Sequence, residues 1–396
     1  MGDVTMGLHV SLDKLADRNY VVHAEGKVDS FTYKNYCYEN IRLNGTFDGD
    51  GFDGELVMSD KNAEVNFSGK ADFKKHDMPV YHFSSHVDKL NLSATNLITK
   101  YDNTSISFDI ESNFVGNSID NVEGSMSMDN VVFVNDDHEL RINNLSVAAT
   151  VDQRQKQRKL TIFSDYINGH ILGQYQFSTL GKFFHNVAHH YVPSLVKEEQ
   201  LLPEKKRVNN FTFDFVVDNT EPINDAYELP FSILEETRVK GFLNDSTNQF
   251  RVRVESDQMQ YNDKILTDML LLLENPKGEL KAMLRTTCQP ASGRRNPYFF
   301  SVNTLTQNDS LDVKCHFSNT GDVTYSGSLM VGTRFKDLTE DGLTADFHIR
   351  PSSIILNDVE WLMRDSRIGL DKKRIEIDSF YFNHDTQFLS INGVNG

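Results

Sequence analysis

Across almost the whole chain, apolar and polar residues alternate in strand-length stretches that recur roughly every 8–14 residues, with Gly, Asn and Asp at the breaks. Leu8, Val10 and Leu12 begin the series. Val65 and Phe67 continue it, then Leu90, Leu92 and Ala94, then Ile106, Phe108 and Ile110, then Met126 and Met128. Leu160 and Ile162 lead to one interruption, after which Phe211, Phe213, Phe215 and Val217 resume the pattern, followed by Val252 and Val254, by Phe347 and Ile349, and by Ile375 and Ile377. Side chains on a strand point alternately to its two faces, so such strands build a sheet with one apolar and one polar face. The pattern excludes a helical bundle. It fits a sandwich, a barrel or an elongated β structure, and it leaves open whether the apolar face is a packed core or a hollow trough.

The interruption is Ser178–Pro203, where Leu180, Phe183, Phe184, Val187, Ala188, Tyr191, Val192 and Leu195 follow a three-and-four spacing that predicts one amphipathic helix. Ser178 or Thr179 would cap its start, Pro193 would limit it to about four turns, and Lys182, His185, Asn186, His189 and His190 would form its solvated side. Three segments follow: a β segment at 1–177, the helix with a charged connector at 178–207, and a second β segment at 208–396.

Apolar residues make up 39% of the 396 residues, which suits a thin structure with a single apolar surface better than a thick core. We therefore expect a mainly β fold: an elongated, curved antiparallel sheet forming an open apolar groove, with one amphipathic helix in the middle. A net charge of −17 argues against nucleic acid and against electrostatic docking on anionic lipid. No stretch approaches the roughly eighteen apolar residues of a membrane span. Met1-Gly2 resembles an added start and the last strand pattern stops abruptly, as expected of an excised piece whose targeting signals lie elsewhere.

Stretches with the spacing of chemical sites have simpler readings. Asp48, Asp50 and Asp53 with Gly49, Gly51 and Gly54 read as a turn between strands; an EF-hand would need glycine where Asp53 stands. His185 and His189 have zinc-ligand spacing, but Asn186 replaces the glutamate of H-E-x-x-H, so no metal is expected there. His82 and His86 share that spacing in strand sequence, which holds them too far apart. Cys37, Cys288 and Cys315 are expected as free thiols. Arg154, Lys156, Arg158 and Lys159 suggest a solvated hairpin tip, and the apolar run around Leu270–Leu273 a fully covered strand or a helical turn. No nucleophile elbow, phosphate-binding loop or dinucleotide fingerprint occurs, and neither a cofactor nor a metal is expected.

Two stretches go further. Arg158, Leu160, Ile162, Ser164, Asp165, Gly173, Tyr175 and Phe177, then Leu180 opening a helix with Tyr191 and Pro193, form one. Ile355, Leu356, Asn357, Asp358 and Trp361, then Ile375, Ile377, Phe380, Phe382, His384, Gln387, Leu389, Ile391, Asn392 and Gly393, form the other. Together they resemble the TamB-like translocation and assembly proteins of double-membraned bacteria, within the wider AsmA-like group. The sharp match covers about a fifth of the chain, and the family's membrane-anchoring helix and C-terminal domain are not in this sequence.

The resemblance implies a repeating β-groove in the periplasm whose lining carries phospholipid acyl chains between the inner and outer membranes, without a chemical step. Partners outside this stretch would be the inner membrane and an outer-membrane barrel protein. On that reading the lining comprises Val65, Phe67, Leu90, Leu92, Ile106, Phe108, Ile110, Met126, Met128, Leu160, Ile162, Phe211, Phe213, Phe215, Val252, Val254, Phe347, Ile349, Ile375 and Ile377. Leu180, Phe183, Phe184, Val187 and Tyr191 would turn the helix toward the groove as a shield. The rival is a structural or adhesive β-solenoid or sandwich that binds protein or glycan, for which aromatic ladders on the polar face would speak. A third reading, a hydrolase built from scattered carboxylates, needs a concave polar pocket with paired acids.

Overall fold

The computed structural model describes residues 4–14, 20–152, 154, 157–197, 202–227, 229–275, 278–291 and 296–395. The chain forms two compact units, residues 1–172 with 219–230, and residues 173–218 with 231–396. The helix and connector at 178–207 thus belong to the second unit, and Lys156 lies outside the described residues.

In the first unit ten consecutive strands each pair antiparallel with the next: β1 (Val4–Lys14), β2 (Tyr20–Tyr33), β3 (Tyr36–Asp48), β4 (Gly51–Asp60), β5 (Ala63–Asp72), β6 (Val80–Asn91), β7 (Thr104–Val115), β8 (Glu123–Asn135), β9 (His138–Asp152) and β10 (Gln157–Ser164). Strand β11 (Ile167–Gln174) follows. The aspartate-glycine run makes the expected turn, with Asp48 opposite Gly51 and Gly49 at a φ of 57°.

The second unit contains β12 (Asn210–Val217), β13 (Phe231–Ile233), β14 (Thr237–Asn244), β15 (Gln249–Tyr261), β16 (Lys264–Glu274), β17 (Leu280–Pro290), β18 (Tyr298–Gln307), β19 (Ser310–Asn319) and β20 (Tyr325–Thr339). From β14 onward these pair in sequence, β12 pairs with β14, and β13 adds to the far end of β15. Beyond β20 the ladder forks, because β20 pairs with β21 (Gly342–Ile349) along one half and with β22 (Ser352–Leu356) along the other. The branches continue through β23 (Val359–Met363) and β24 (Ser366–Asp371) and meet on β25 (Arg374–His384), which pairs with β26 (Gln387–Asn395). Asn357 and Asp358 make the tight turn between β22 and β23 with φ of 56° and 63°, a conformation these side chains tolerate.

The expected helix is α1 (Leu180–Tyr191), preceded by a 3-10 turn at Phe177–Thr179. It is shorter than expected, and the Thr179 hydroxyl donates to the Gln176 carbonyl instead of capping the helix. Its faces also depart from the pattern. Asn186, assigned to the wet side, is buried and exchanges hydrogen bonds with the backbone of Leu202, whereas Phe184, assigned to the apolar stripe, is 45% exposed. His189 bonds the Val196 carbonyl, so this side of the helix is covered by the connector that follows.

A second helix, α2 (Glu221–Tyr227), escaped the sequence pattern because its two turns are too short to show a period. Its local signals are the Asn219 side chain accepting from the Glu221 amide and Pro222 in the first turn.

Three further expectations are corrected. Leu92 is not on a strand, since β6 ends at Asn91, whose side chain accepts from the Ala94 amide while its carbonyl accepts from Thr95. Arg158 is not solvated but reaches back to the carbonyls of Asp120 and Val122. The Leu270–Leu273 run is strand β16, yet only Leu270 is buried.

Candidate functional site: the half-buried apolar face

In the first unit the registers line up the predicted alternates into continuous cross-strand rows. One row runs Leu8, Gly26, Leu43, Leu56, Phe67, Ser85, Ile110, Met128 and Leu145. Beside it runs Gly45, Gly54, Gly69, Phe83, Ser112, Met126, Val147 and Ile162, and beside that Phe47, Phe52, Ala71, Tyr81, Phe114, Gly124, Ala149 and Leu160. Rings lean together along and across these rows, with Phe52 over Gly45. Phe47 lies 5.0 Å from Phe52, Phe52 lies 6.2 Å from Phe67, and Phe67 lies 5.4 Å from Phe83, so the aromatic ladder is on the apolar face. Glycine is also required where the neighbouring backbone comes close: at Gly69 (φ +147°) an added Cβ would sit 2.3 Å from the His82 carbonyl oxygen.

Phe67, Ile110, Met126, Met128 and Ile162 are half-buried, whereas Leu160 at the end of its row is buried. Beyond neighbouring strands, the element of the first unit in substantial contact with its sheet, among the described residues, is α2 on β8 and β9.

One margin of this face is closed. Val65 and Phe108 lie in a row with buried Ile41 and Val87. Beyond them Leu90 packs on a cluster of Tyr38, Ile41 and Ala63, while Leu92 and Ile106 pack with Ile223 around Phe133, Leu140 and Ala226 of α2. The Asn135 amide fixes α2 by donating to the Ala226 carbonyl at 2.8 Å. Near the first cluster, buried Asp60 accepts from the Tyr36 hydroxyl and from the amides of Glu39 and Asn62; burial and then this carboxylate push the Tyr36 hydroxyl up to about 12. Three of the predicted lining residues, Leu90, Leu92 and Ile106, therefore belong to a packed margin.

The second unit repeats the plan with aliphatic residues. Phe213, Gly241, Val252, Leu273, Ala282, Thr304, Val313, Val331 and Ile349 form one row, and Phe215, Val239, Val254, Leu271, Leu284, Val302, Cys315 and Leu329 the next, all half-buried. Phe347 and Ile377 flank Ile368 in a neighbouring row, while Ile375 is 42% exposed.

The closing element here is α1. Phe211, Leu243 and Phe250 form a buried row, and Phe183, fully buried, meets the Phe250 ring at 6.1 Å. Val187 and Tyr191 are also buried, and Leu180 is half-buried. Below them Asn209 donates to Thr179 and Asp245, and Asn275 accepts from the Phe250 amide. Phe211 is buried in that row, with the Tyr175 ring edge-on at 6.5 Å, and is not open lining.

Sequence reasoning missed two features. Strands carry bulges marked by Asn or Asp at positive φ, Asn40, Asn130 and Asp268 among them, and register breaks at Glu64/Val65, Val87/Leu90 and Ser107/Asp109 fall on successive strands; bulges bend their strands. The signal was an Asn or Asp inside an otherwise regular alternation. The reverse face of the second unit also has an apolar hollow of about 460 Å³ lined partly by Leu272, Met283 and Met330.

Elsewhere the polar faces carry paired charges. In the first unit His86 faces Asp88 at 3.0 Å and Asp109 at 2.5 Å, and Asn130 donates to the other Asp109 oxygen at 2.9 Å. These carboxylates raise the His86 pKa, and Asn130 and then His86 lower that of Asp109. The three cysteines are free thiols. Among the described residues no group of three or more His, Cys, Asp or Glu could hold a metal ion, and no helix is long and apolar enough to cross a membrane.

The chain matches no protein-family model, no curated protein and no solved structure.

Proposed function

We propose that the half-buried apolar faces take up acyl chains, and that the protein is a non-enzymatic lipid conduit: an open apolar groove, part of a periplasm-spanning bridge carrying phospholipids between inner and outer membranes for outer-membrane biogenesis. One observation carries this reading. In each unit, rows of Phe, Leu, Val, Ile and Met cross many strands and stay half-buried instead of disappearing under a second layer. Large contiguous apolar surface of this kind marks an interaction site, and packed margins along one side give it a boundary.

An acyl chain laid on such a face gains about 0.8 kcal/mol per methylene removed from water. Successive positions along a row offer similar surface, so moving a chain by one strand changes that energy little. A face lined with hydrocarbon discriminates weakly among chains, which suits a bulk lipid carrier better than a selective receptor. The long-range context, membranes at either end, comes from the family that the two sequence stretches resemble.

The test is native mass spectrometry on protein purified without detergent, with solvent extraction of what co-purifies. Phospholipid at near one equivalent or more per chain is expected. A folded, monodisperse protein that carries no lipid, and takes up none from phosphatidylethanolamine vesicles, would overturn the reading.

A further inference from the structure

The apolar face of the first unit is concave at one end. Where β6 to β9 end, a hollow of about 400 Å³ opens, within the range of about 300–1,000 Å³ usual for small-ligand sites. Its floor is Met126, Val147 and the small side chain of Ala149, one wall is the Tyr81–Phe114 ring pair with centroids 4.6 Å apart, and the opposite wall is the loop after β7 carrying Ile119.

That loop is braced. The Asn121 side chain accepts from the amides of Asn117 and Ser118 and from the Ser118 hydroxyl, and donates to the Asp77 carbonyl, while Arg158 holds the carbonyls of Asp120 and Val122. Asn117 donates to the His76 carbonyl and accepts from Asn121. The Asn117 and Asn121 side chains of this wall are thus engaged within the loop and with the neighbouring loop before β6, and Ile119 is left 59% exposed at the rim. Ile119 belongs to the lining of the hollow and extends its apolar wall at the rim.

We propose that this hollow is a fixed seat for the methyl end of one alkyl chain, with the rest of the chain lying outward along the half-buried row of Ile110 and Met128. The proposal rests on the reading that the apolar face takes acyl chains and adds that one position on it holds a chain end instead of letting it slide. A hollow walled mainly by apolar side chains selects an alkyl segment over a polar headgroup. The seat is one-ended: floor and loop wall close it on the side where the strands stop, and its open side continues into the apolar rows.

The experiment uses the full chain labelled at its methionine methyl groups, titrated with stearic acid carrying a nitroxide at the methyl end or, separately, near the carboxyl end. Met126 reports on the seat, Met6, exposed on the same face at the far strand β1, on a distant part of it, and Met283 on the reverse face of the second unit. With the methyl-end label, Met126 is expected to broaden well before Met6, and with the carboxyl-end label the preference is lost. Val147→Phe, which fills the floor, and Ile119→Ser, at an exposed position that leaves packing untouched, should each abolish the preference for Met126. Equal broadening of Met126 and Met6, or a preference unchanged in both variants, overturns the seat and leaves the conduit reading standing. No broadening at any methionine overturns both.

Discussion

The two units solve the same problem with different side chains. The first stacks Phe47, Phe52, Phe67 and Phe83, with the Phe52 ring over Gly45, while Gly54 and Gly69 admit the backbone of the neighbouring strand. The second uses runs such as Val239, Val254, Leu271, Leu284 and Val302, with rings over glycine where Phe213 covers Gly241 and Phe317 covers Gly327. β-branched and aliphatic side chains fit a pleated surface without help, whereas a ring lying flat needs a missing Cβ under it. The margins differ likewise: the first unit is closed by the short α2 around Ala226, the second by α1 through Phe183. The lesson is that an even, half-buried apolar face can be built either way, with glycine in both units where a ring or a neighbouring backbone comes close.

The strongest way to break the second unit alone is Phe183→Ala. This side chain is fully buried between α1 and Phe250, so its loss should cost about 3–5 kcal/mol through transfer and cavity terms. In urea followed by hydrogen exchange, amides of β12 to β16 should lose protection while those of β3 to β8 keep theirs. Equal loss in both would mean that α1 supports more than its own unit.

The converse variant is Gly69→Val. Its Cβ would meet the His82 carbonyl oxygen at 2.3 Å on a backbone at φ +147°, so the strand pair must part, at about 3 kcal/mol or more. Protection should fall in β4 to β7. Gly393→Ala, in β26 of the second unit, has nothing within 4 Å of the added atom and should shift stability by under about 0.5 kcal/mol.

Phe67→Asp and Phe213→Asp sharpen the comparison of the faces themselves. Each is half-buried, so folding should weaken by about 1–2 kcal/mol, while lipid recovered per chain falls. Under the conduit reading each variant loses part of the extractable phospholipid at unchanged circular dichroism. If either unfolds instead, that side chain is ordinary core, and the face around it is packed.

Much of this architecture was legible in the sequence because strand alternation is a local signal. Val65, Phe67, Ile110, Met126, Met128, Val252 and Val254 lie on apolar rows as the period of two requires. What could not be read were features set by non-local contact. Leu92 alternates with Leu90, yet Asx hydrogen bonds at Asn91 turn the chain first. Phe211 alternates with Phe213, yet it is buried, with the Tyr175 ring edge-on to it at 6.5 Å, while Phe213 stays half-open. Asn186 lies on the polar side of the helical wheel and is buried because Leu202 folds back to receive it. The fork at β20 leaves no periodic trace, since both branches are short strands of the same style.

The smallest expected effect concerns the polar faces, where the units also differ. The second fastens its strands with arginines and lysines, as in Arg238–Asp214, Arg251–Glu274, Arg350–Asp312 and Lys336–Asp346, whose charge is constant at ordinary pH, along with His348 beside Asp365. The first uses His86 between Asp88 and Asp109 beside the bulge at Asn130. Because the folded His86 pKa is raised, its stabilisation is fully present below the unfolded value of about 6.5 and is lost as pH rises through the folded value. Asp109 has the opposite sign: its contribution is present above the unfolded value of about 3.9 and is lost as pH falls through its depressed folded value. The network is therefore strongest between about pH 4 and 6.5. His86 is half-exposed, and solvent screening limits the gain to a few tenths of a kcal/mol. The difference in melting temperature between the protein and His86→Gln should be largest near pH 5.5 and close toward pH 9, with the amide protection that changes confined to β6 to β8. A difference that persists unchanged at pH 9 would mean that the imidazole acts there as a neutral hydrogen-bonding spacer, and that the bulge line does not depend on its charge.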